Sequence, residues 1–171
     1  MNCWQCDIQS VSLEKVFTWA LSTAKTDRLL FTMRLSEGRA KKRLAPANVE
    51  KNVEKLFGDY LIDSFWASGW PGTELLGHKG RVWVTKFDET VLALVLATQP
   101  DFSLWRNNAS LPLPEDICLL KQGNRYPTLV SVTHEKDAWF FGNAKPTFTG
   151  LRKEPSLLRD FLFSGKYFCK L

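Results

Sequence analysis

The chain has 171 residues, of which 44% are hydrophobic and 24% charged, and its formal net charge is +5. This length is typical of one domain, so we expect a single domain spanning residues 1–171. The composition excludes a mainly disordered chain, and no apolar stretch reaches the roughly 18 residues that a membrane span needs. The first residues lack the basic start and apolar segment of a secretory signal, so we expect a cytoplasmic protein with no membrane association.

Two amphipathic helices are predicted in the first half of the chain. From Ser12 to Ala24 the apolar residues recur with the spacing of one helical face, and the Ser12 hydroxyl is suited to cap the helix. Pro46 is well placed as the first residue of a second helix, whose apolar stripe predicts an end near Ile62. A short third helix is predicted from Pro155 to Gly165.

The remaining segments are predicted to be strands and turns. Residues 29–35 alternate between apolar and polar and predict a strand, whereas residues 64–80 are rich in Gly, Ser and Trp and predict a connection that is partly loop. Residues 81–87 and 90–98 are predicted to form a hairpin that turns at Asp88 and Glu89. Residues 117–121, 128–133 and 138–141 predict a three-stranded antiparallel meander.

These elements predict an α+β fold. We expect a single antiparallel sheet of about five or six strands, with two longer helices from the N-terminal half and a short C-terminal helix packed on one face. The alternating βα order of a doubly wound parallel sheet is missing, and with it the usual nucleotide crevice. The residues carry no family signature that could be transferred position by position.

Four cysteines, Cys3, Cys6, Cys118 and Cys169, are expected to be thiols in a cytoplasmic chain. Cys3 and Cys6 form a C-x-x-C pair, which in other contexts is half of a zinc site or a redox dithiol. The other cysteines and the two histidines are scattered single residues, so we favour small, half-buried cysteines near a terminus. No metal or other cofactor is predicted.

No catalytic motif is complete, and we therefore predict a non-enzymatic protein. Residues 72–79 begin like a phosphate-binding loop, but His78 stands where that motif needs Lys, and a strand follows instead of a helix. His134 and Glu135 begin like a zinc-protease motif without its second His. An enzyme with His78 or Cys118 in a cleft stays open as an alternative.

Aromatic residues supply the main functional hypothesis. Twelve Phe, seven Trp and three Tyr make up 13% of the chain, which is more ring area than one core is expected to hide. The segment with Phe65, Trp66 and Trp70 is the predicted binding loop, because Trp dominates many protein interfaces. The alternative is a loop folded over the sheet edge with its aromatic side chains directed inward.

The most basic stretch supplies a second hypothesis. Arg39, Lys41, Lys42 and Arg43 follow a predicted turn and could contact nucleic-acid phosphates while an exposed Trp stacks on a base. The aromatic residues do not alternate with this basic run, so a solvated basic turn beside a strand edge is the simpler interpretation. We therefore expect a cytoplasmic binding or regulatory protein whose partner is another protein, with nucleic-acid binding as the alternative.

Overall fold

A computed structural model describes residues 2–34, 46–105, 112–124, 126–143 and 145–153. Its α-helices are α1 (Leu13–Ser22), α2 (Pro46–Phe57) and α3 (Glu89–Thr98). Its strands are β1 (Asn2–Asp7), β2 (Arg28–Arg34), β3 (Leu61–Ala67), β4 (Gly69–Trp70), β5 (Thr73–Glu74), β6 (Gly80–Lys86), β7 (Asp116–Leu120), β8 (Leu129–Val132), β9 (Asp137–Gly142) and β10 (Arg152–Lys153). Arg39, Lys41, Lys42, Arg43 and the predicted C-terminal helix lie outside the described residues.

The main sheet has eight strands in the order β10-β1-β9-β8-β7-β2-β6-β3, and every neighbouring pair is antiparallel. Strands β4 and β5 form a separate two-stranded hairpin. The predicted α+β class is confirmed, but the described sheet has eight strands rather than five or six. The predicted meander is present as β7, β8 and β9.

Two predicted helix starts are confirmed. The backbone N–H of Lys15 donates to the Ser12 hydroxyl at the start of α1, and α2 begins at Pro46. The predicted end of α2 near Ile62 is wrong, because the α-helix stops at Phe57, and a 3-10 turn over Gly58–Tyr60 leads into strand β3. Glycine in a helix costs about 1 kcal/mol relative to alanine, which favours termination at this point.

Only the first strand of the hairpin predicted for residues 81–98 is present. Residues 80–86 form strand β6, whereas the apolar run after it is helix α3. The carboxylate of Asp88 accepts the backbone N–H of Val91 at 3.0 Å, so the predicted turn residue caps a helix. Periodicity cannot separate a helix from a strand when nearly every residue is apolar.

Strand β1 was not predicted, and it determines where the two N-terminal cysteines lie. It pairs with β9 on one side and β10 on the other. Cys3 and Cys6 are both buried, rather than half-buried as expected. Because side chains alternate between the two faces of a strand, residues three apart lie on opposite faces, and the two thiols belong to different core clusters.

The sheet is buried on both faces. The buried residues of α1, α2 and α3 share one cluster with Phe31, Trp83 and Phe140, and we call this side the helix face. Leu30, Val84 and Cys118 lie on the opposite side, in a second cluster that includes Trp70 of the β4–β5 hairpin. Strands covered on both sides lose the polar and apolar alternation of a half-exposed sheet, as the fully buried β7 and β8 show.

Candidate functional site

The three predicted aromatic contact residues have different environments. Trp66 is 47% exposed on β3, and Trp70 is fully buried. Phe65 is half-buried against the core cluster on the sheet face opposite the helices. The two alternatives for this segment are therefore both realised, with one indole directed outward and one inward. Trp70 cannot contact a partner in this fold, so it leaves the predicted set of binding residues.

Six of the seven tryptophan side chains are buried, which is more than their number led us to expect. Trp66 is the exposed one, and each of the other six is at most 7% exposed. Trp105, for example, stacks on Phe31 with ring centroids 5.4 Å apart and donates its indole N–H to the carbonyl of Gln99. Two core clusters rather than one receive the buried rings, and Trp66 is the indole left at the surface, so the surplus is limited to one tryptophan.

The Trp66 indole is held by a neighbouring guanidinium group. Arg81, opposite Trp66 on β6, lies over its ring at 5.2 Å from the centroid. The same guanidinium donates to the Ser64 hydroxyl at 2.9 Å and forms an ion pair with Glu50 of α2 at 3.5 Å. Ring, cation and carboxylate thus form one linked group, in which a cation–π contact contributes about 0.5–1 kcal/mol at an exposed position.

An apolar neighbour and polar groups surround this indole. Ile62, four residues earlier on β3, is 50% exposed. Ser64 and Arg81 are partly exposed, and Glu50 pairs with Arg81 at the border. We call Ile62, Ser64, Trp66, Arg81 and Glu50 the Trp66 surface. A central aromatic side chain with a polar rim is the usual composition of a protein-binding hot spot.

Trp70 acts as a structural anchor instead. Its indole N–H donates to the Asp116 carboxylate at 3.0 Å, and the backbone N–H of Thr133 donates to the other carboxylate oxygen at 2.9 Å. Burial raises the pKa of Asp116, while these two hydrogen bonds and the charge of Arg34 oppose the rise. Gly80 makes room for the indole, since a Cβ there would lie 2.4 Å from a ring carbon of Trp70.

The residues of the enzyme alternative do not form a site. Cys118 is fully buried, its Sγ lies 3.8 Å from the Pro71 carbonyl oxygen, and burial raises its pKa. A thiol in such surroundings stays protonated and is a poor nucleophile. His78 is exposed in the turn after β5.

The C-x-x-C pair cannot hold a metal ion. Cys3 and Cys6 lie on opposite faces of β1, and burial raises the pKa of Cys6 to about 12, which opposes the thiolate that a metal needs. Within the described ranges, no group of three or more His, Cys, Asp or Glu side chains is arranged to hold an ion. No helix in the part of the chain that the structure describes is long and apolar enough to span a membrane.

Comparisons with known proteins add no functional assignment. No family model matches the sequence, and neither the curated proteins nor the solved structures contain a significant match. The Trp66 surface is therefore the candidate site on the strength of its geometry alone.

Proposed function

We propose that this chain is a non-enzymatic binding protein that recognises another protein through the Trp66 surface. One observation carries the proposal: Trp66 is 47% exposed in a fold that buries each of its other six indoles to 7% exposure or less. Partner binding would remove this ring from water, and a buried aromatic side chain contributes a large share of the energy of many interfaces. The proposal includes the predicted cytoplasmic location.

The local charges favour a protein over a nucleic acid. Strand β3 contains no Lys or Arg, and the cation that touches Trp66, Arg81, is already paired with Glu50. Nucleic-acid binders need basic groups that follow the phosphate backbone beside their stacking rings. The basic run from Arg39 to Arg43 lies outside the described residues.

Site-specific photocrosslinking tests the proposal. A photoreactive phenylalanine derivative in place of Trp66 should crosslink to a discrete protein in a lysate of the source cells, and unlabelled wild-type protein should compete with the product. The control places the same group at Leu104, which is 37% exposed on a segment that packs near residues 8–10 and 133–135, far from β3 in the strand order.

The two positions distinguish a specific partner from general stickiness. A product at position 66 that is absent at position 104, and that wild type removes but Trp66→Ala does not, supports the proposal. Equal crosslinking at both positions, or products at position 66 that are nuclease-sensitive nucleic acid, overturns it.

A further inference from the structure

Strand β3 is the longer of the two edges of the described sheet. Within the described ranges, β3 pairs only with β6, whereas the opposite edge strand, β10, has two residues against the seven of β3. Edge strands present backbone N–H and C=O groups to which another strand can bond. The Trp66 surface therefore lies beside a row of backbone groups as well as around an exposed ring.

One backbone donor of this edge is occupied by a neighbouring carboxylate. The N–H of Ser64 donates to the Asp63 carboxylate at 2.7 Å. In an antiparallel pair, alternate residues of an edge strand direct their backbone groups away from the sheet. The bond to Asp63 assigns Ser64 to this outward set, and by alternation Trp66 belongs to it as well.

The charged side chains in the sequence around β3 are acidic, although the whole chain is basic. No Lys or Arg occurs from residue 56 to residue 78, whereas Asp59, Asp63 and Glu74 lie in this stretch and all three are exposed. Two cations next to β3 are paired already, Arg81 with Glu50 and Lys86 with Asp88. Asp63 thus presents an exposed negative charge directly beside the outward donor of Ser64.

We propose that the partner contributes a basic, extended segment that adds to the sheet as a further strand beside β3. This inference rests on the proposed function of the Trp66 surface and specifies its ligand. A Lys or Arg of the segment attracts the Asp63 carboxylate away from the Ser64 N–H, which then donates to a backbone carbonyl of the added strand. Apolar side chains of the segment contact Ile62 and Trp66.

Asp63 gives this edge its selectivity. Without a cationic partner its carboxylate keeps the Ser64 donor occupied, and an acidic segment is repelled by the charge. Charged side chains on edge strands commonly discourage unwanted pairing. A basic segment compensates the charge, so one residue excludes wrong partners and attracts the right one.

End-blocked ten-residue peptides test this arrangement. The probes alternate Val with Lys, Val with Glu, or Val with Ser, and are titrated into the full chain while the amide exchange of Ser64 is followed by NMR. We expect the Val–Lys peptide to bind at least tenfold more tightly than the Val–Glu peptide and to slow exchange at Ser64. N-methylation of every second backbone amide gives two versions of the Val–Lys peptide. The version that loses the N–H groups facing β3 should bind at least tenfold more weakly, and the other version should bind almost as tightly as the unmethylated peptide.

Asp63→Ala provides the diagnostic variant, because it removes the charge and uncovers the Ser64 N–H together. Its preference for Val–Lys over Val–Glu should fall below threefold, while its affinity for the neutral Val–Ser peptide should rise. Trp66→Ala should weaken all binding. Asp59→Ala, which leaves the bond between Asp63 and Ser64 intact, is the matched control and should keep most of the Val–Lys preference.

Several outcomes separate this inference from the proposed function. Val–Lys binding that requires Trp66 but leaves Ser64 exchange unchanged overturns strand addition, while the Trp66 surface stands. Binding of none of the peptides, with specific crosslinking retained at position 66, has the same consequence. Concentration-dependent self-association that protects Ser64 overturns the basic partner in favour of a second copy of this chain. Loss of specific crosslinking at position 66 overturns the proposed function itself.

Discussion

Replacing Trp66 and Trp70 separately by Phe tests the division between a surface indole and an anchoring indole. Both substitutions keep an aromatic ring and remove an indole N–H. At position 70 that N–H donates to the buried Asp116 carboxylate at 3.0 Å, and the side chain has no exposed area. At position 66 about half of the side chain is in water, and a Phe ring still offers a face to Arg81.

The expected destabilisation differs severalfold between the two variants. Loss of the indole N–H leaves an acceptor oxygen of the buried Asp116 side chain without its partner, which costs about 1–3 kcal/mol. The smaller Phe ring leaves a cavity of a few tens of Å³, which at about 24 cal/mol per Å³ costs roughly 1 kcal/mol more. Trp70→Phe should therefore lower the free energy of unfolding by about 3 kcal/mol. Trp66→Phe should change it by less than about 0.5 kcal/mol, as most surface substitutions do.

Urea unfolding followed by far-UV circular dichroism measures both variants, because this signal comes mainly from the backbone and survives the loss of one tryptophan. The double variant Trp70→Phe with Asp116→Asn isolates the pair, and we expect the two single effects to be clearly non-additive. A cost below about 1 kcal/mol for Trp70→Phe would show that the indole–carboxylate bond does not anchor the hairpin. Equal costs at positions 66 and 70 would refute the assignment of Trp66 to the surface.

Three further predictions concern stability. Gly80→Ala should destabilise by about 1–3 kcal/mol in urea unfolding, because its Cβ would lie 2.4 Å from the Trp70 ring, and no loss would mean that the indole is not seated there. Asp88→Ala should cost about 1 kcal/mol by removing the α3 cap, whereas Asp88→Asn should keep most of that stability. Burial raises the pKa of Asp116, so the folded state holds its proton to a higher pH than the unfolded chain, and the stability of wild type relative to Asp116→Asn should fall as the pH rises above about 4. A difference in unfolding free energy that stays constant from pH 4 to pH 7 would contradict this pKa direction.

The elements with a clear local signal could be predicted from the sequence. Ser12 and Pro46 mark helix starts by the chemistry of their own side chains, and β2 has β-rich residues between clear breaks. The sequence analysis missed the end of α2 and the helical state of α3. In both segments the local residues are compatible with a helix and with a strand, and packing against the sheet decides which one forms. Asp88 is compatible with a turn and with a helix cap, and only the packing of α3 against the sheet decides between them.

The candidate site was predicted in part, for a similar reason. The segment holding Phe65, Trp66 and Trp70 was identified by composition, but the separation of Trp66 from Trp70 depends on a partner far along the chain. Trp70 turns inward toward Asp116, which lies 46 residues later. Arg81, which holds the exposed ring, pairs with Trp66 through sheet register. Long-range pairing of this kind leaves no pattern in a single sequence.

The burial of both sheet faces explains why recognition is expected at an edge. Two core clusters cover the strands from either side, so the main surfaces left in the described parts of the chain are the outer sides of the helices and the sheet edges. An exposed indole on an edge strand invites non-specific pairing, which natural sheets suppress with bulges and charges. Strand β3 has both, with a register shift between Leu61 and Asp63 and a carboxylate on the Ser64 N–H. The bulge and the carboxylate oppose unspecific pairing at this edge, and under the proposed binding mode only a segment that compensates the Asp63 charge overcomes them.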